Sequence, residues 1–180
     1  MKQKERFIAT LFGIRLTVIP TVILGVLAIF GLTVLVAATR LSMHLADALL
    51  FGLLCTIVHF AGEVLHHIGH IIAARSTGHP MIGLRFGVYG LFAASVYPKN
   101  EPELPGTTHI RRAMGGPIFS TLVGLALFML TFLPGVHGAE FLYPVLVFAV
   151  IEQVGLLGLG ALLPLPFTDG GTILTWWGKN

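Results

Sequence analysis

Residues 45–74 read LADALLFGLLCTIVHFAGEVLHHIGHIIAA, an apolar segment with polar groups spaced along its second half. About 20 apolar residues are enough to cross the hydrocarbon core of a bilayer, so this segment predicts a membrane-spanning helix. Ionisable groups are costly in lipid, and on a spanning helix they face the protein interior or a water-filled cavity. The segment therefore indicates that lipid surrounds the protein and that the functional site lies along this helix.

Three other segments have the length and composition of a membrane span, namely residues 20–39, 110–133 and 141–163. Hydrophobic residues make up 55% of the chain and charged residues only 11%, whereas soluble domains carry roughly 25% charged residues. We therefore predict an α-helical integral membrane protein with four transmembrane helices, residues 1–180 forming a single domain. Its first partner is the lipid bilayer.

The basic residues predict the orientation in the membrane. With four spans, the two termini and the loop between the second and third spans share one side. Ten of the 11 lysines and arginines lie there and only Arg40 lies opposite, so the positive-inside rule places both termini in the cytoplasm. The net charge of +3 reflects this topology and gives no reason to expect a nucleic-acid partner. The ten are Lys2, Lys4, Arg6, Arg15, Arg75, Arg85, Lys99, Arg111, Arg112 and Lys179.

Two segments outside the spans are predicted to be extended. Residues 7–19 mix β-branched residues with Gly13, and residues 80–97 have glycines at 83, 87 and 90 that interrupt any helical period. The first favours a short strand and the second a pair of strands. Because unpaired strand edges are costly at membrane depth, we expect the two segments to pair as a small membrane-associated β element.

Five ionisable side chains share one face of the 45–74 helix. At 100° per residue, they fall within about a quarter of the helix circumference, and the other faces are apolar. Cys55 is the only cysteine, which excludes an intramolecular disulfide and a cysteine-based zinc site. The five are His59, Glu63, His66, His67 and His70.

His66 and His70 have the i, i+4 spacing that lets two imidazoles reach one metal ion. Hydrogen bonding across helices is the simpler interpretation of a lone intramembrane histidine, but four histidines and a glutamate on one face favour a metal site. Axial ligation of haem is another alternative, although two histidines on one helix suit zinc better. His59 lies roughly 10 Å from His66 along the axis, which predicts a supporting role.

A third ligand follows the fourth span, in the segment PLPFTDGG at residues 164–171. Asp169 lies on the cytoplasmic side of the predicted topology, at a depth similar to that of His66 and His70. Two imidazoles and one carboxylate, with a fourth position left open, are typical of a catalytic zinc site.

Three motifs resemble those of the site-2 protease family of intramembrane zinc metalloproteases. The HHIGH sequence at residues 66–70 corresponds to the family's HExGH motif, MGGPIFSTLVG at 114–124 to its Gly-Pro segment, and LLPLPFTDGG at 162–171 to its proline-rich LDGG motif. The early GIRLTVIP sequence at 13–20 is also similar, and the order and spacing agree over roughly residues 8–175. The resemblance implies that His66, His70 and Asp169 bind zinc and that the substrate is a membrane-spanning protein.

The sequence departs from the family at three positions that serve the chemistry. His67 stands where the family has the glutamate that activates water as general base, and Ser120 and Ala161 replace asparagines that the resemblance implies to position the substrate. Glu63, one turn before His66, remains a carboxylate. It can orient His66 or approach the metal, and the sequence leaves both roles open.

We therefore predict a membrane-embedded zinc-binding protein of the intramembrane metalloprotease type, a degenerate homologue whose missing base argues against proteolysis. Such a protein binds a transmembrane client. The alternative is an active zinc metallopeptidase, or another zinc hydrolase acting on membrane proteins, with His67 or Glu63 as its base.

Overall fold

The computed structural model describes residues 4–179; Lys2, one of the counted basic residues, lies outside them. The described chain contains four helices that are long and apolar enough to cross a membrane. This confirms the predicted fold class and the number of spans. The helices are α1 (Val22–Arg40), α2 (Leu45–Ser76), α3 (Gly106–Leu130) and α4 (Leu142–Leu162), and a short helix, α5 (Asp169–Trp176), follows them.

The helices expose apolar side chains on their outer faces, as expected for a protein surrounded by lipid. In α1, for example, Leu24, Leu27 and Leu35 are all more than half exposed. Helix α4 is α-helical over Leu142–Val150, π-helical over Ile151–Leu159 and 3₁₀-helical over Gly160–Leu162. A π-helical stretch widens the turn and is frequent at functional sites.

The sheet has four strands in the order β1-β2-β3-β4, namely β1 (Arg6–Leu11), β2 (Ile14–Val18), β3 (Gly83–Val88) and β4 (Phe92–Val96). Strands β2 and β3 are parallel, with Leu16 opposite Leu84, and the two outer pairings are antiparallel. The predicted pairing between the N-terminal and central segments is thus confirmed. The N-terminal segment, predicted as one strand, is a hairpin because Phe12 and Gly13 both adopt positive φ and reverse the chain.

The sheet packs on α2 through a small apolar core. Ile14 from β2, Leu84 and Phe86 from β3, and Ile71 from α2 are buried in it together with Met81. This packing fixes the sheet beside the second half of α2, where the ionisable side chains lie. Strand β4 is an outer strand, so its free edge is available to groups from α2.

Two glycines allow α2 and α3 to approach closely. A side chain at Gly69 would collide with the Gly115 backbone, and one at Gly115 would collide with the backbone of Gly69. Small residues at a helix crossing are the usual means of close packing in membranes. The close crossing brings polar groups of α3 within hydrogen-bond reach of the histidines on α2.

Candidate metal centre

Three ligand-type side chains converge where α2, α3 and α5 meet. The Nε2 atoms of His66 and His70 are 2.9 Å apart, and the Asp169 carboxylate lies 3.2 Å from the first and 3.4 Å from the second. Two atoms bound to one tetrahedral zinc ion lie about 3.3 Å apart, because zinc–ligand bonds are about 2.0–2.2 Å long. Within the described residues, these three form the group of histidine, cysteine and acidic side chains arranged to hold a metal ion.

Hydrogen bonds at the other ring nitrogens prepare both histidines as ligands. His70 Nδ1 lies 2.8 Å from the Arg112 backbone carbonyl, which can only accept, so Nδ1 carries the hydrogen and Nε2 keeps its lone pair. His66 Nδ1 lies 3.1 Å from the Ser120 hydroxyl, which can accept a hydrogen in the same way. Two nitrogen lone pairs and a carboxylate therefore face one point, and such a donor set fits a zinc ion.

Gly116 keeps the space between the ligands open. A Cβ atom at this position of α3 would collide with Nε2 of both His66 and His70. Glycine thus provides room beside the two ligand atoms, on the side of α3. Beside the three donor side chains there is therefore a space in which a metal ion can lie.

Asp169 is held in place by the start of α5. The Thr168 hydroxyl accepts a hydrogen bond from the Gly171 backbone N–H and also contacts the Leu163 carbonyl, so α5 begins at Asp169. Burial raises the pKa of Asp169, but the charges and hydrogen bonds of His70 and His66 lower it more, and the net pKa lies below its usual range. The Asp169 carboxylate is therefore charged and suited to bind a cation.

His67 lies on α2 beside the two candidate ligands His66 and His70. Its ring centroid is 5.3 Å from that of His66 and 5.2 Å from that of His70. Its Nδ1 is 2.8 Å from the Glu63 backbone carbonyl, so this nitrogen is the donor and Nε2 keeps its lone pair. His67 is thus oriented by its own helix and carries one basic nitrogen.

The Glu63 side chain is directed to the sheet. Its Oε2 accepts a hydrogen bond of 2.9 Å from the Ala93 backbone N–H on β4, and its Oε1 has no hydrogen-bond partner. Oε2 is 3.9 Å from His67 Nδ1. The free edge of β4 therefore orients the Glu63 side chain, and neither His66 nor Asp169 pairs with Glu63.

The two predicted substrate-positioning residues lie in different surroundings. Ser120 is fully buried and contacts His66, which favours a part in orienting that ligand. Ala161 is half-buried and lines the cavity beside the centre. The structure thus places Ala161 in the cavity wall and Ser120 against the His66 ring.

Arg112 is a site residue that the sequence analysis did not identify. Its carbonyl holds His70, and its buried guanidinium donates to both carboxylate oxygens of Glu101 and to the His79 carbonyl. The guanidinium also lies 4.2 Å from the ring centroid of Tyr97. Arg112 therefore joins the ligand to the 97–105 loop. One feature of the sequence could have identified it. Arg112 lies in the first turns of a spanning helix, where a charged side chain needs a polar partner.

An open cavity of about 570 Å³ adjoins the centre. Its wall contains the three candidate ligands together with His67 and Glu63, and it continues along β4 and the loop before α5. A cavity of this size accommodates several residues of a peptide or a drug-sized molecule.

The fold and site thus define an integral membrane protein with a candidate metal centre enclosed by its helices. The chain is similar to the solved structure of the site-2 protease from Methanocaldococcus jannaschii, at 21% sequence identity and a TM-score of 0.64, covering 95% of this chain and 70% of that chain. This likeness confirms, for the fold, the resemblance seen in the motifs. No protein-family model and no curated protein sequence matches the chain.

Proposed function

We propose that this chain is a membrane-embedded zinc-binding protein of the intramembrane metalloprotease type that has lost glutamate-dependent peptide hydrolysis and binds membrane-protein clients. It forms one domain with both termini in the cytoplasm. The observation that carries the proposal is the convergence of His66, His70 and Asp169, with both imidazoles oriented by hydrogen bonds at Nδ1. Zinc bound by these residues supplies Lewis acidity.

The loss of the usual chemistry follows from the residues beside the ligands. His67 occupies the position of the general base by resemblance, and a neutral imidazole lacks the negative charge that a glutamate brings. Glu63 is the nearby carboxylate, and its Oε2 is engaged by the Ala93 N–H. The cavity beside the centre remains open, which supports binding of a client segment without its cleavage.

A second candidate function is hydrolysis with His67 as general base. The supporting observation is its tautomer: the Glu63 carbonyl takes the hydrogen of Nδ1, so Nε2 is free to accept a proton, and His67 lines the cavity. Imidazole is an effective base near neutral pH. A role for the Glu63 carboxylate as base remains a prediction.

Zinc binding is tested by elemental analysis of the detergent-purified chain. We expect one zinc per chain and its loss in His70→Ala, because two remaining ligands hold the ion weakly. The matched control is His44→Ala, since His44 is exposed and makes no side-chain capping hydrogen bond at the start of α2. Equal zinc content in the two variants would refute the ligand assignment.

The two candidate functions are separated by cleavage of transmembrane reporter substrates. Loss of hydrolysis predicts no zinc-dependent cleavage by the natural sequence and weak cleavage by His67→Glu, which restores a carboxylate. Hydrolysis by His67 predicts the reverse: the natural sequence cleaves, and both His67→Glu and His67→Ala lower the rate. Vigorous turnover by the natural sequence would eliminate the first proposal.

A further inference from the structure

One carboxylate oxygen in the membrane-spanning part has no partner. Glu63 is 2% exposed, Oε2 binds the Ala93 N–H, and Oε1 makes no hydrogen bond, although the residue belongs to the wall of the cavity at the metal centre. Burying a charged group without compensation is expensive in a medium of low dielectric constant. A carboxylate in this position is therefore suited to a ligand that supplies a cation or an N–H donor.

The neighbouring basic groups are already committed to other partners. His59, one turn before Glu63 on α2, donates from Nε2 to the Leu91 carbonyl, and its Nδ1 is 2.5 Å from Glu152 Oε1. The nearest basic nitrogen to Glu63 is Nδ1 of His67, at 3.9 Å, whose hydrogen is donated to the Glu63 carbonyl.

The arginines near the centre are committed as well. The guanidinium of Arg112 is paired with Glu101, and Arg75 at the end of α2 donates to the Phe12 carbonyl. Among the residues that the structure describes, no lysine or arginine side chain forms an ion pair with Glu63. Lysine and arginine side chains of the described residues therefore leave room for a positive charge supplied by a ligand.

An aromatic rim leads from the outside of the cavity toward Glu63. It consists of Tyr89, Phe92 and Phe167: the Phe167 ring centroid is 5.2 Å from that of Tyr89 and 6.2 Å from that of Phe92. Tyr89 is 73% exposed and Phe167 is 52% exposed, while Phe92 directly precedes Ala93, whose N–H binds Glu63. A long side chain with an aliphatic stem and a cationic end fits this surface, because aromatic faces bind both.

We propose that Glu63 and the aromatic rim form a recognition subsite for a lysine or arginine side chain in the membrane segment of a client protein. The inference rests on the proposed function, in which the cavity at the metal centre receives such a segment. It adds a sequence requirement: the client carries a basic residue at the depth of Glu63, one helical turn farther from the cytoplasm than the ligand His66. The stem of the basic residue lies on the rim and its charged end pairs with Glu63.

The test uses the full chain in phosphatidylcholine nanodiscs and three fluorescent transmembrane peptides. They differ at one central position, which is lysine, acetyl-lysine or methionine. A hydrogen bond to a charged group corresponds to on the order of a ten- to hundredfold change in affinity. We expect the lysine peptide to bind more tightly than the other two by that factor, and acetyl-lysine to lose the advantage although it keeps the length.

Variants then assign the preference to the carboxylate. Glu63→Gln keeps an oxygen for the Ala93 N–H and should bind all three peptides equally, whereas Glu103→Gln, which changes an exposed carboxylate, should keep the lysine preference. A lysine preference that survives in Glu63→Gln overturns the inference, and so does equal binding of lysine and acetyl-lysine by the natural sequence. The second comparison needs no variant, so it stands even if Glu63→Gln fails to fold.

Two further measurements distinguish the possible reasons for the absence of a lysine preference. If phosphatidylethanolamine in the nanodisc abolishes the lysine preference, the cation is a lipid amine and the client assignment is overturned. Zinc content is measured in the same samples. Protein without zinc refutes the proposed function, whereas zinc-loaded protein without a lysine preference refutes only the recognition subsite.

Discussion

Replacing Gly116 by alanine should weaken metal binding without making helix α3 less stable. In the interior of a helix, alanine is more favourable than glycine by about 0.8–1.0 kcal/mol, so the substitution should leave the metal-free helix as stable as before or more so. The added Cβ, however, collides with Nε2 of both His66 and His70. The same methyl group thus favours the helix and closes the space between the ligands.

The size of the effect follows from the contact distances. Ordinary contact of a Cβ atom begins near 3.4 Å, so the two imidazoles must withdraw by about 1 Å to accommodate the new atom. Zinc sites tolerate deviations of about 0.2 Å in their ligand distances. Even changes in the groups that orient ligands cost 10–100-fold in metal affinity, so a displacement of both histidines should lower zinc affinity by about 100-fold or more.

The measurement is zinc affinity by competition with a chelator, together with thermal unfolding of the zinc-free protein in detergent. The matched control is Gly31→Ala in α1, where a new Cβ meets nothing within 4 Å. It receives the same helix-propensity gain without the collision and should keep its zinc. Zinc affinity within threefold of the natural sequence in Gly116→Ala would refute the placement of the ion between His66 and His70.

Three other predictions test the surroundings of the site. Thr168→Ala removes the cap of α5, at a cost of about 1 kcal/mol, and should weaken zinc binding several-fold in the same chelator assay because Asp169 loses its fixed position. Hydrogen bonds from Arg112 lower the pKa of Glu101 below its ordinary 4.5; the pair therefore stabilises the 97–105 loop above that pH and releases it as the pH falls through the lowered value. Hydrogen exchange of this loop, corrected for its intrinsic pH dependence, should increase on acidification and should already be fast at neutral pH in Glu101→Gln. Reporter fusions at the C-terminal end and in the 134–140 loop should report opposite sides of the membrane, with the C-terminal end cytoplasmic; the same side for both would contradict the topology.

The sequence was sufficient to predict the spans and the polar face of α2 because lipid imposes strong constraints on both. An apolar run of sufficient length has few alternatives to a spanning helix. The 3.6-residue period then places His66 and His70 on the same face as Glu63. The paired β segments were predictable for a similar reason, since backbone groups at membrane depth must find partners within the protein.

The contacts between elements could not be predicted in the same way. The angular position of Glu63 on α2 does not reveal that its carboxylate binds the Ala93 N–H, because any strand edge offers such groups. The Arg112 carbonyl that orients His70 has no side-chain signature at all. Gly116 resembles the other glycines of α3 in the sequence, and only the positions of the two imidazoles distinguish it.

The buried ionisable groups differ in whether the fold itself compensates them. His59 pairs with Glu152 across helices, and Arg112, near the N-terminal end of α3, pairs with Glu101. These pairs join elements and need no ligand. His66, His70 and Asp169 lie close enough together to hold a cation, which the proposed zinc supplies. Glu63 is compensated on one oxygen only. Since a buried group of this kind is expensive to keep, the unpaired oxygen of this cavity-lining residue favours recognition of a ligand.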